Sequence, residues 1–70
     1  MEPKKKIMYL VYDSVMKEEV NYVWDPNKND LYRIITPQKN ISVQCCNTKE
    51  QVEEFFYYLS VKIIERVEVD

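Results

Sequence analysis

Ile7, Met8, Tyr9, Leu10, Val11 and Tyr12 form a run that is apolar at every position and rich in β-branched and aromatic types. Such a run reads as a strand, at about 6–13, covered on both faces and therefore central in a sheet. Strict alternation follows further on. Val20, Tyr22 and Trp24 fall on one face and Glu19, Asn21 and Val23 on the other, which predicts a second strand at about 18–24. A competing pattern overlaps it: Ser14 could cap a helix carrying Met16, Val20, Val23 and Trp24 at helical spacing, giving a βαββα order. The next stretch favours the strand. Pro26 presets a turn and Asn27, Asn29 and Asp30 tolerate left-handed backbone, so residues 25–30 read as a hairpin reversal.

A third strand is expected at about 31–36, a second reversal at 37–40 and a fourth strand at about 41–46. In the last, Ile41, Val43 and Cys45 are expected on a buried face and Ser42 and Gln44 toward water. Asn47 or Thr48 then offers a helix cap with Glu50 or Gln51 three residues on, a capping box in either register, and the helix is placed at about 48–65. Residues 66–70 either fray or add a short edge strand. The fold class is α+β: a single domain in which a small antiparallel β-meander of three to four strands precedes one C-terminal amphipathic helix packed on one sheet face.

On a helix at about 48–65, Val52, Phe55, Phe56, Leu59 and Ile63 occupy one arc suited to a sheet. Tyr57, Val61 and Ile64 fall on a second arc bordered by Glu50, Glu53, Glu54 and Glu65. One helix on one sheet cannot bury both arcs, nor cover both faces of the first strand. Apolar surface is in excess, and association with a second copy or with another protein is the expected outlet.

Composition sharpens this picture mainly by exclusion. A chain of 70 residues buries only about 60% of its extended surface, so a staple, a metal or a partner is expected. Cys45 and Cys46 are adjacent and point apart in extended backbone, which disfavours a disulfide between them; one is expected in the core and the other exposed. With no histidine and only two thiols, no structural zinc site is expected, and no cofactor. There is no glycine, so no phosphate-cradling loop, nucleophile elbow or dinucleotide fingerprint. Glu18-Glu19 and Glu53-Glu54 are adjacent pairs whose members diverge, and the thiols lack a histidine activator. A non-enzymatic protein is expected.

Unpaired thiols suit a reducing, cytoplasmic setting. The first apolar run is too short for a signal-peptide core or a membrane span, so no membrane association is expected. Lys, Asn, Ile and Tyr are abundant, which suits an AT-rich coding sequence such as viruses and mobile elements carry.

The net charge is −2, split as +1 over residues 1–40 (seven basic, six acidic) and −3 over residues 41–70 (three basic, six acidic). The reading that follows is a self-associating interaction module, an inhibitor or adaptor of viral or mobile-element type. Its partner surface would be an acidic helix face built from Tyr57, Val61, Ile64, Glu50, Glu53 and Glu54. The alternative is a small single-stranded nucleic-acid binder using Lys4, Lys5 and Lys6 with Tyr22, Trp24 and Tyr32 as stacking platforms.

Overall fold

The computed structural model describes residues 4–69. Met1, Glu2, Pro3 and Asp70, the last of them in the segment 66–70 expected to fray or add an edge strand, lie outside the described residues. The elements run β1 (Lys6–Asp13), β2 (Glu18–Asp25), β3 (Asp30–Thr36), β4 (Lys39–Cys45), α1 (Lys49–Tyr58) and β5 (Val61–Val69). All pairings are antiparallel and the strand order is β4-β3-β2-β1-β5. Four strands thus form the expected meander. The helix then carries the chain across one face from the β4 edge to the β1 edge, where β5 completes a five-stranded sheet.

The turns work without glycine. Lys17 and Asn29 take positive φ (56° and 52°). Asp13 Oδ1 accepts the Val15 and Met16 amides, and the buried Asp25 accepts the Asn27 amide at 3.0 Å. No helix forms after Ser14, so the strand reading of residues 18–24 holds and the βαββα order does not.

The register explains the core. Tyr9 stands opposite Tyr22, Val11 opposite Val20 and Ile7 opposite Trp24, which in turn stands opposite Leu31. These residues line the face under α1, and Tyr9, Val11 and Leu31 are fully enclosed. From the helix, Val52 and Phe56 descend onto them. The Phe56 ring makes edge contacts with Tyr9 and Tyr22 at centroid distances of 5.2 and 5.1 Å. Trp24 Nε1 donates to the Cys46 carbonyl at 2.9 Å, tying the exit of β4 to the centre of the sheet.

Four expectations are corrected. The sheet has five strands, because the helix ends at Tyr58 instead of reaching residue 65. Ser60 adopts φ 60° and its amide donates to the Tyr57 carbonyl, so the chain turns out of the helix without glycine. Five β-branched residues among the next nine then favour a strand. Residues 66–69 therefore continue an edge strand that begins at Val61, and Val61 and Ile64 belong to it, not to a helix stripe. In β4 the register slips between the pairs of Leu31 and Tyr32, so the alternation changes phase at Val43. Val43 stays half-buried, Ile41 and Cys45 are exposed, and Cys46 is the enclosed thiol. Finally, β1 is an inner strand covered on one face only; Met8 and Tyr12 reach solvent on the other.

Candidate functional site

Two surfaces remain once the core is assembled. The first is the sheet face opposite α1. Alternation places Met8, Leu10 and Tyr12 of β1 there, and pairing aligns Met8 with Val67 on one side and with Val23 on the other. Val23 in turn faces Tyr32. The result is an apolar row, Val67, Met8, Val23, Tyr32, running across four adjacent strands. Leu10 and Tyr12 lie beside it along β1, and Ile34 of β3 and Val69 of β5 along their own strands. Flanking strands enclose Val23, but Val67 is 44% exposed and Met8 and Tyr12 are 37% exposed each. The charged groups on this face are mixed. Lys6 and Lys62 are basic; Glu19 and Glu65, which stand opposite Tyr12 and Leu10, are acidic, as are the buried Asp25 and its cross-strand neighbour Asp30, whose carboxylate accepts from the Ser42 hydroxyl.

The second surface is the outer side of α1. Thr48 is its N-cap, with Oγ1 accepting the Gln51 amide at 3.2 Å, while Gln51 Oε1 accepts the Asn47 amide at 2.5 Å. The Thr48–Gln51 register of the expected capping box is the one used. This orientation turns Val52 and Phe56 inward and leaves Glu50, Glu53, Glu54 and Tyr57 around a shallow depression open to solvent. Lys49 pairs with Glu53 at 3.5 Å in an exposed i,i+4 contact, a geometry of small energetic weight. Of the six residues expected to form one partner surface, the structure brings together Glu50, Glu53, Glu54 and Tyr57. Val61 is half-buried against the core on β5, and Ile64 sits at the bulge of that strand opposite the Leu10/Val11 step.

The residues named for nucleic-acid stacking are divided. Tyr22 and Trp24 lie buried beneath α1, whereas Tyr32 is half-buried on the opposite face. Lys4 is held by its backbone, its amide donating to Asn27 Oδ1 at 2.9 Å and its carbonyl accepting from Asn27 Nδ2. Lys4 and Lys5 project into solvent, and Lys6 begins β1 half-buried.

Burial raises the pKa of the Cys46 thiol, reinforced by Cys45 and Asp30, so it is disfavoured as a thiolate nucleophile. The phenols of Tyr9 and Tyr22 are likewise raised by burial, with Arg66 and Arg33 respectively opposing the effect. Among the described residues no three His, Cys, Asp or Glu side chains converge as metal ligands, and no helix is long and apolar enough to cross a membrane.

The apolar row on the open face is the feature that sequence reasoning located only by its excess, without its members. Its signal was present in the unbroken apolar run of β1 and in the β-branched content of residues 61–69. Compared with protein-family models, curated proteins and solved structures, the chain matches none.

Proposed function

We propose that this chain is a non-enzymatic protein-interaction module whose helix-free sheet face is covered by a second copy. The observation that carries the reading is the row Val67, Met8, Val23 and Tyr32, an apolar band across four strands that no element among the described residues overlies. Covering a side chain of this size stabilises a contact by roughly 1.5 to 3 kcal/mol. Several together rival the net stability of so short a domain.

The second copy is favoured as occupant by charge. Lys6 and Lys62 share this face with Glu19, Glu65 and Asp30, so it carries both signs and two copies can set the lysines of one against the carboxylates of the other. The outer side of α1, with Glu50, Glu53 and Glu54, would repel its own copy and stays outward in such an assembly. There it presents acid and the exposed Tyr57 to a basic partner, as an inhibitor or adaptor would. Burial of Tyr22 and Trp24 weighs against the stacking alternative.

Oxidative footprinting across a concentration series tests the reading. Met8 and Tyr12 are expected to become protected as concentration rises. The double variant Tyr12→Lys/Tyr32→Lys, which keeps aliphatic stems against the sheet, should lose the protection of Met8 with an unchanged circular-dichroism spectrum. Met8 oxidation that is the same at every concentration would overturn self-association through this face.

A further inference from the structure

We infer that the C-terminal half of β5 is a second, independent interface, at which it pairs edge to edge with β5 of another copy about a twofold axis at Val67. Among the described residues β5 pairs only with β1, so its outer edge presents backbone groups without a strand partner. Residues 65–69 pair with Leu10 back to Lys6 without a break, and the only irregularity of the strand lies before them, at the Leu10/Val11 step. The other edge, β4, is broken by two register shifts. Bulges of that kind blunt an edge, while an unbroken, regular run invites pairing. α1 enters β5 at Val61, at the far end of the strand from these residues.

The side chains specify which strand can add and in what register. Arg66 stands opposite Tyr9 and Glu68 opposite Ile7, so both lie on the helix-bearing face, while Val67 stands opposite Met8 on the open face. Neither Arg66 nor Glu68 makes an ion pair among the described residues. An antiparallel copy centred on Val67 sets Arg66 against the partner's Glu68 and Glu68 against the partner's Arg66, with Val67 against the partner's Val67. Axes at Glu65, Arg66 or Glu68 set like charges directly opposite, which destabilises a cross-strand pair. Axes between residues set side chains of opposite faces against each other. A twofold axis normal to the sheet keeps both helices on one side. It also joins the two open faces at Val67 into a continuous ten-stranded surface.

The test is made in the Tyr12→Lys/Tyr32→Lys protein, where the open face contributes nothing and the edge acts alone. That protein is expected to sediment as a dimer. Adding Arg66→Glu, or separately Glu68→Arg, sets two pairs of like charges across the axis and should weaken the dimer at least tenfold. Mixing the two single reversals should restore it as a mixed dimer, since every pair is then complementary. A background protein that stays monomeric at all concentrations, or reversals that do not rescue each other, would overturn the edge interface. Neither outcome touches the footprint of Met8 on the open face of the wild type. Should a reversal unfold the chain, hydrogen exchange of the wild type decides: concentration-dependent protection of the amides of residues 65–69 supports the pairing, and concentration-independent exchange overturns it.

Discussion

Tyr9 is fully enclosed beneath α1, yet its hydroxyl has no hydrogen-bond partner among the described residues. Its ring is used twice, against Phe56 and opposite Tyr22, and its hydroxyl not at all. Removing an unpaired buried hydroxyl removes a desolvated group and leaves the packing, so Tyr9→Phe is expected to be neutral or to stabilise by up to about 1 kcal/mol. Urea unfolding checks it, and a loss beyond that size would mean that the hydroxyl has a partner. The same burial sets a pH dependence. A phenol whose folded pKa is raised keeps its proton where the unfolded chain, titrating near about pH 10, releases it. Its contribution is intact below that pH and is lost as pH climbs through the raised folded value. The Cys46 thiol acts with the same sign from a lower starting point, about pH 8.5. The urea midpoint of the wild type should therefore fall on the alkaline side, and fall less steeply in Tyr9→Phe. That one thiol is enclosed and the other exposed was legible from adjacency. Which one was not, because a register slip in β4 leaves no mark on the alternation of the sequence.

Among the elements, the four meander strands were legible to within two residues at their ends, because turn residues and alternation agreed there. The helix start was equally clear, since Thr48 and Gln51 satisfy exposed backbone amides through local bonds. Thr48→Ala is expected to cost about 1 kcal/mol. Asn47→Ala should cost far less, as only the backbone amide of Asn47 is engaged at the cap. Thermal unfolding of the two variants separates them, and equal losses would move the cap. The helix end was misread for a physical reason. Leu59 and Ile63 stand four residues apart, as helix neighbours would, yet only Ile63 packs on the core, from a strand, while Leu59 caps the helix and is exposed instead of lying on the expected buried arc. Ser60 makes that turn in a left-handed conformation which usually falls to glycine, and which costs an L-residue roughly 1 to 2 kcal/mol. Ser60→Gly should stabilise the chain by about 1 kcal/mol after the added flexibility of the unfolded state is offset. A destabilised Ser60→Gly would show that the serine makes a compensating contact.

At the level of the whole molecule, the helix can shield only one side of a sheet whose strands are apolar on both. The excess of apolar surface was legible in β1, but its location was not. It depends on where α1 stops and on β5 adding beside β1, neither of which the helical spacing of residues 52–64 betrays. The consequence is thermodynamic. Ten hydrophobic residues are buried among the described residues, a core close to the lower limit for a domain without disulfide or metal. Association through the open face or the β5 edge binds the folded chain and not the unfolded one, so it adds to stability in proportion to the logarithm of concentration over the dissociation constant. The melting temperature of the wild type should therefore climb as protein concentration is raised. Tyr12→Lys/Tyr32→Lys should reduce that slope, and adding Arg66→Glu should flatten it, leaving the melting point of the lone domain. Differential scanning calorimetry over a hundredfold range of concentration reads all three. A wild-type melting temperature that does not move would mean that the apolar row stays wet in the native state. In that case the small core, with Phe56 wedged between Tyr9 and Tyr22, would carry the fold alone.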